Sequence, residues 1–116
     1  MSVTIYHNPR CSKSRQTLEL LQANGVEPTV VKYLETPLDL AGLKQVFGQL
    51  GFSEVTQMMR VKEAEYKAMG LDQADVTDEA RFQAMVECPK LMERPIVVHQ
   101  DKARIGRPPE QVLEIL

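Results

Sequence analysis

The sequence predicts a single α/β domain that is built around a mixed four-stranded sheet and carries a helical insertion. Three observations lead to this prediction. A strand-helix-strand pattern opens the chain, a mainly helical stretch covers about residues 37–88, and two short strands with a final helix follow it. We therefore expect one domain over residues 1–116, with the insertion between the two parts that supply strands.

The opening β-α-β unit has a strand near residues 3–6, a helix near 12–24 and a second strand near 29–34. Leu18 and Leu21 lie on one face of the helical pattern, which indicates the side that packs on the sheet. Because a helix joins the two strands, we expect them to pair in parallel.

The middle of the chain predicts several helices. Thr36-Pro37-Leu38-Asp39 is typical of a helix start, with the threonine as N-cap and the proline at the first helical position. An apolar stripe follows, and Gly51 is expected to end this helix. Further helices are expected near 54–60, near 62–69, and from Thr77 to the residue before Pro89.

The C-terminal part predicts a hairpin and a last helix. Residues 95–99 form the first strand, 100–101 the turn and 103–105 the return strand, and the helix begins at Pro109. This order of elements is that of a thioredoxin-like fold with a helical insertion. In that fold the proline before the third strand is usually cis and lies beside the active cysteine, and Pro95 occupies that place.

The composition argues against several classes of protein. The chain has 116 residues, of which 43% are hydrophobic and 26% charged, and its net charge is −2. A net negative charge does not favour broad attraction to nucleic acid. The sequence has no recognisable signal peptide or membrane-spanning apolar run, and two cysteines are too few for a disulfide framework. We therefore expect a cytoplasmic protein with neither a membrane nor a nucleic-acid partner.

Cys11 is the leading candidate for a reactive residue. It stands between a predicted strand and a predicted helix, where unpaired backbone N–H groups and the positive end of the helix dipole favour a thiolate. His7, Arg10, Lys13 and Arg15 add positive or potentially positive charge nearby. This pattern predicts a low-pKa catalytic cysteine in an anion-binding loop, and the alternative is a buried structural cysteine.

Ser14 makes the cysteine motif Cys-x-x-Ser, so Cys11 has no second cysteine within the motif with which to form a disulfide. An external thiol must then resolve any covalent intermediate. Cys88, next to a proline at a predicted helix end, is expected to be structural. His7 is expected either to hydrogen-bond in the loop and lower the pKa of the thiol, or only to cap the loop. Arg15 is expected to stabilise the same loop.

Arg60, Arg94 and Arg107 each lie at the boundary of a predicted element, where a side chain can reach a common site. An oxyanion has several acceptor oxygens, which guanidinium groups match in fork geometry. Taken one at a time, each arginine fits a solvated surface charge better than a binding residue. The two histidines and two cysteines have no compact ligand spacing, so the sequence predicts no metal site.

Five short motifs follow one another along the chain. They are His7-Asn8-Pro9-x-Cys11, Ser14-Arg15-x-Thr17-Leu18, Met58-Met59-Arg60, Glu93-Arg94-Pro95-Ile96 and Ile105-Gly106-Arg107-Pro108-Pro109. As an ordered set over residues 4–109, they resemble the glutaredoxin-coupled arsenate reductase (ArsC) family. One departure is Ser12-Lys13, where we associate the family with Gly-Thr. A lysine beside the cysteine is expected to affect anion binding or the shape of the loop.

The resemblance implies a thiol-dependent oxidoreductase for arsenic detoxification. It implies that Cys11 attacks arsenate, or a similar oxyanion, held by Arg60, Arg94 and Arg107. Glutathione then adds as a second thiol and co-substrate, and the partner protein glutaredoxin supplies the electrons that give arsenite. No bound cofactor is implied. Pro95 supports the site as the expected cis-proline.

Two other functions are compatible with parts of the sequence. A glutaredoxin-like thiol transferase would also use Cys-x-x-Ser, but it would not need three separated arginines. A regulator that binds RNA polymerase, as in the Spx-like branch of the same superfamily, would resemble this chain in fold. Its redox switch resembles Cys-x-x-Cys, which Ser14 removes here.

Overall fold

The computed structural model of the protein describes residues 2–116. Its strands are β1 (Val3–His7), β2 (Thr29–Lys32), β3 (Ile96–His99) and β4 (Lys102–Ile105). Its α-helices are α1 (Ser12–Ala23), α2 (Leu40–Leu50), α3 (Ala64–Ala68) and α4 (Asp78–Glu87). Three 3₁₀ helices span Val55–Met58, Pro89–Leu91 and Pro109–Ile115.

The four strands form one mixed sheet in the order β2-β1-β3-β4. Strand β1 pairs in parallel with β2, as a helical crossover requires, and antiparallel with β3, which in turn pairs antiparallel with β4. The predicted α/β class, mixed four-stranded sheet and helical insertion are therefore confirmed. Within residues 2–116, no helix is long and apolar enough to cross a membrane.

The sheet separates two apolar cores because successive side chains of a strand point to opposite faces. On β3, Ile96 belongs to the core formed with the helical insertion, and its neighbour Val97 belongs to the core formed with α1 and the C-terminal 3₁₀ helix. Both residues are fully buried. The strand that follows Pro95 is thus fixed by packing on both faces of the sheet.

Four elements differ from the predictions. Helix α2 begins at Leu40 with Asp39 as its N-cap, because the Asp39 carboxylate accepts the Gly42 N–H at 2.8 Å and so replaces Thr36 in that role. Strand β2 ends at Lys32, where the chain turns. The final helix is a 3₁₀ helix rather than an α-helix, and the predicted helix near 54–60 is a short 3₁₀ helix that ends at Met58.

Two proline peptide bonds are cis. The bond between Arg94 and Pro95 is cis, which confirms the prediction for this position. The bond between Arg107 and Pro108 is also cis, and the sequence analysis did not anticipate it. Both bonds directly follow arginines that were predicted to bind an oxyanion.

Gly106 lies where the chain leaves β4 and passes close to α1. A Cβ at this position would lie 2.4 Å from Oγ1 of Thr17 and 3.0 Å from Cγ of Pro95. We expect Gly106→Ala to lower the free energy of unfolding by about 1–3 kcal/mol through overpacking. The exposed helical Gly48 has no atom within 4 Å of the corresponding position, so Gly48→Ala should be neutral or stabilising by up to about 1 kcal/mol. Denaturant unfolding of both variants tests the difference, and equal stabilities would contradict it.

Candidate active site

The short segment 91–95, between the helical insertion and β3, brings two distant arginines together. The backbone N–H of Arg60 donates to the carbonyl of Leu91 at 2.7 Å, and the N–H of Glu93 donates to the carbonyl of Met58 at 2.8 Å. This two-residue antiparallel bridge holds Arg60 beside the segment that carries Arg94, although 34 positions separate them in the sequence.

The same segment holds the third arginine. The N–H of Gly106 donates to the carbonyl of Pro95 at 2.9 Å, which fixes the start of the loop after β4. Arg107 then donates from Nη1 to the carbonyl oxygen of Arg94 at 3.1 Å. The same nitrogen lies 3.9 Å from Sγ of Cys11, within hydrogen-bond range for sulfur. Arg107 therefore links the candidate nucleophile to the other two arginines.

Cys11 is the N-cap residue of α1 and is partly exposed. Partial burial raises the pKa of its thiol, but the backbone N–H of Ser14, the charge of Arg94, the guanidinium of Arg107 and the backbone N–H of Lys13 lower it. The net result is a pKa below the ordinary value for a thiol. The helix terminus and two of the three arginines thus stabilise the thiolate together.

A buried hydrogen-bond network shapes the loop before Cys11. The hydroxyl oxygen of Ser14 accepts the backbone N–H of Asn8 at 3.0 Å and is hydrogen-bonded to Nδ1 of His7 at 2.6 Å. Burial and the charges of Lys32 and Arg15 lower the pKa of His7, so its ring is neutral at pH 7. His7 therefore makes the expected loop hydrogen bond, but it contributes no positive charge beside the thiol.

Arg15 and Asn8 complete the loop. Arg15 donates from Nη1 to the carbonyl of Pro9 at 2.8 Å, across the turn that precedes the cysteine. The backbone N–H of Cys11 donates to the carbonyl of Asn8 at 3.0 Å, and the Asn8 side chain accepts the N–H of Arg10 at 3.0 Å. These contacts fix the backbone of the loop and place Arg15 in a supporting position.

A cavity of about 410 Å³ opens among the arginines. Arg60, Arg94 and Arg107 line it, together with three further charged residues: Lys62, Glu63 and Glu93. The three arginines predicted from separate motifs therefore share one cavity, and Arg107 joins its wall to the sulfur of Cys11.

Cys88 occupies a different environment. It caps the C-terminus of α4, where its N–H donates to the carbonyl of Ala84 at 2.8 Å, and its partly buried side chain packs against the core of the insertion. Among residues 2–116, no three or more His, Cys, Asp or Glu side chains are grouped so that they could hold a metal ion.

Tyr33 faces the site, and the sequence analysis treated it only as a strand residue. Its side chain is 1% exposed, and its hydroxyl lies beside the Asn8 side chain without a hydrogen bond of normal geometry. Burial raises its pKa, the charges of Arg94 and Arg60 lower it, and the charge of Cys11 raises it, so the phenol stays protonated at pH 7. The only signal for Tyr33 in the sequence was its position as an aromatic residue with a hydroxyl near the end of the predicted second strand.

Two carboxylates next to the arginines were also missed. Glu63 forms an ion pair with Arg60, and Oε1 of Glu93 lies 3.0 Å from Nη1 of Arg94. Glu93 precedes Arg94 directly, but Glu63 reaches Arg60 only because the chain turns after Met59. The sequence motif included Glu93 without assigning it a role.

Replacing Arg107 should raise the pKa of Cys11, because the variant loses the hydrogen bond from Nη1 to the thiolate. The reactive thiolate predominates only above the pKa. As the pH is lowered, alkylation of Arg107→Ala should therefore begin to slow at a higher pH than alkylation of the wild type. The measurement is the pH profile of iodoacetamide alkylation in a Cys88→Ser background. Arg104→Ala is the control, because Arg104 pairs with Glu114 at 2.9 Å instead. Identical profiles for all variants would contradict the assignment.

Removing the Tyr33 hydroxyl should not destabilise the fold. Because this buried hydroxyl has no hydrogen-bond partner in the described residues, Tyr33→Phe should leave the free energy of unfolding unchanged or raise it by about 1 kcal/mol. Denaturant unfolding of the variant and the wild type measures the effect. A variant less stable than the wild type would contradict this expectation.

Comparisons with known proteins agree with this geometry. The ArsC family model matches residues 6–115. The chain is 61% identical to the uncharacterized protein YfgD of Escherichia coli K12, over 98% of this chain and 96% of that protein. It is 50% identical to the arsenate reductase of Haemophilus influenzae over the full length of both chains. A solved structure of the arsenate reductase from Vibrio cholerae, 59% identical, superposes with a TM-score of 0.98 and covers 100% of this chain and 98% of that one.

The family model covers almost the whole chain, and the relatives match it from end to end. The structural match extends this agreement to the sheet, the helical insertion and the loop after β4. The fold that positions the Cys11 thiol and the three arginines is therefore shared with these relatives. The protein belongs to the ArsC family.

Proposed function

We propose that the protein reduces arsenate to arsenite through a covalent intermediate on Cys11, with glutathione and glutaredoxin as reductants. The observation that carries the proposal is the contact between Arg107 and the sulfur of Cys11, in a wall that Arg60 and Arg94 also form. A cationic cavity beside a low-pKa thiol suits an oxyanion that is attacked by sulfur. Relatives named arsenate reductase point to arsenate as that oxyanion.

The first step is anion binding. Arsenate enters the cavity and accepts hydrogen bonds from the guanidinium groups of Arg60, Arg94 and Arg107. The backbone N–H groups at the start of α1 direct positive partial charge at the same place, which favours an anion near Cys11. Binding thus holds arsenic next to the sulfur while the arginines offset the repulsion between two negatively charged reactants.

The second step is nucleophilic attack. The Cys11 thiolate donates an electron pair to arsenic, an arsenic–sulfur bond forms, and one arsenic–oxygen bond breaks. The departing oxygen takes up protons and leaves as water. The side chains of His7 and Ser14 keep the loop in shape for this attack through their hydrogen bond, and the backbone N–H of Ser14 stabilises the thiolate.

The reduction requires a second thiol. Overall, arsenate and two thiols give arsenite, one disulfide and one water, so the two electrons that reduce As(V) to As(III) come from the two sulfur atoms. Ser14 replaces a second cysteine in the loop, and Cys88 packs in the core of the insertion. The second thiol must therefore be external, and the resemblance to the glutaredoxin-coupled family points to glutathione as that thiol and to glutaredoxin for the regeneration of Cys11.

The direct test is arsenite formation with glutathione and glutaredoxin. Cys11→Ser should abolish it, whereas Cys88→Ser should retain it. Arg60→Ala, Arg94→Ala and Arg107→Ala should each lose about 1.5–3 kcal/mol of binding, which is about a tenfold to hundredfold loss of affinity for arsenate. Arg104→Ala controls for the loss of an arginine outside the cavity.

Two outcomes would contradict the proposal. Turnover that persists in Cys11→Ser would remove the covalent intermediate, and turnover unchanged in all three arginine variants would remove the oxyanion site. If glutathione mixed disulfides were reduced while arsenate was not, the protein would be a thiol transferase instead. That activity would not depend on Arg60, which lines the cavity but does not act on the Cys11 thiol.

A further inference from the structure

The cavity of the candidate active site contains its own anions. Glu63 pairs with Nη2 of Arg60, and Oε1 of Glu93 lies 3.0 Å from Nη1 of Arg94. All four side chains are only partly exposed, between 16% and 25%, so water screens these pairs less than it would on an open surface. Two of the three guanidinium groups that would grip an oxyanion are thus occupied by carboxylates of the same cavity.

Arg107 differs from the other two arginines. Within residues 2–116 it forms no ion pair with a carboxylate, and its Nη1 contacts the Arg94 carbonyl and the Cys11 sulfur. An oxyanion can therefore reach Arg107 and Cys11 without displacing a carboxylate, but full contact with the other two arginines requires competition with Glu63 and Glu93.

Both carboxylate pairs have a feature that allows exchange. Oε2 of Glu63 also lies 3.5 Å from Nζ of Lys90, so this carboxylate keeps a cationic partner when Arg60 turns to a ligand. The Nε–H of Arg94 is buried and has no hydrogen-bond partner in the described residues, so the guanidinium has a free donor while Glu93 holds Nη1. An unpaired buried donor is costly, and a ligand oxygen would satisfy it.

We propose that Glu63 and Glu93 compete with bound tetrahedral oxyanions for Arg60 and Arg94, and so set the non-covalent affinity of the cavity for these anions. The inference rests on the oxyanion site of the proposed function. Phosphate and arsenate have the same shape and similar charge, so arginine contacts hold both alike. The two carboxylates therefore weaken non-covalent binding of both anions to a similar extent.

The two anions differ at the covalent step. The Cys11 sulfur forms a bond to arsenic as an arsenic–oxygen bond breaks and water leaves, and this bond retains arsenate in the site. Phosphate exchanges its oxygens for sulfur far more slowly and keeps only the non-covalent contacts. The covalent step therefore discriminates between the anions, and the carboxylates set how tightly both are held before it.

The test uses glutamine substitutions, which keep the shape of each side chain and remove its charge. Glu63→Gln and Glu93→Gln should each bind inorganic phosphate about threefold to tenfold more tightly in isothermal titration calorimetry, and the double variant should bind it more tightly still. Phosphate should also inhibit arsenate turnover at correspondingly lower concentrations in these variants. Glu114→Gln is the matched control, because Glu114 pairs with Arg104 outside the cavity.

Weaker or unchanged phosphate binding in both glutamine variants, with unfolding curves like those of the wild type, would overturn the inference. It would show that the carboxylates hold the arginines in place rather than compete for them. Arg107→Ala separates this result from a failure of the proposed function. If phosphate binding depends on Arg107 but not on the glutamates, the oxyanion site stands and the inference falls. If arsenate is not reduced but the glutamine variants bind phosphate more tightly, the inference stands and the reductase assignment falls.

Discussion

The arrangement of the site depends on the backbone hydrogen bonds of one short segment, residues 91–95. On one side this segment bridges to residues 58–60, and on the other its Pro95 carbonyl accepts the N–H of Gly106. Three arginines from three parts of the chain are positioned by these bonds. Directional backbone bonds with buried flanking residues hold positions better than long side chains do, so this segment sets the spacing of the charges.

The cysteine loop is built on a separate and more local principle. Cys11 caps α1, and the two residues that lower its pKa through their backbone N–H groups lie within three positions of it. Ser14 ties the same turn to the buried His7 at the end of β1. The loop meets the arginines only through Arg107 and the charge of Arg94. Nucleophile reactivity and anion binding are thus coupled through Arg94 and Arg107, whereas Arg60 lines the cavity without acting on the thiol.

Charge compensation explains how three arginines share one small cavity. Guanidinium groups that line one small cavity repel one another, and partial burial reduces the screening by water. Glu63 and Glu93 offset this repulsion, and Lys90 in turn balances Glu63. The ion pairs that stabilise the folded protein therefore compete with an anionic ligand for the arginines. Stability and affinity are thus linked through two carboxylates.

The sequence by itself determined the fold class, the position of Cys11 at a helix start and the cis bond before Pro95, because local pattern and an ordered set of motifs carry that information. It did not determine that Asp39 rather than Thr36 caps α2, since competing caps are decided by which side chain reaches an amide. The sequence also did not predict the ion pair between Glu63 and Arg60 or the burial of the Tyr33 hydroxyl. The ion pair joins residues three positions apart and forms where the chain turns, whereas the Tyr33 hydroxyl is buried where distant segments meet. In both cases only the tertiary structure sets which groups face each other.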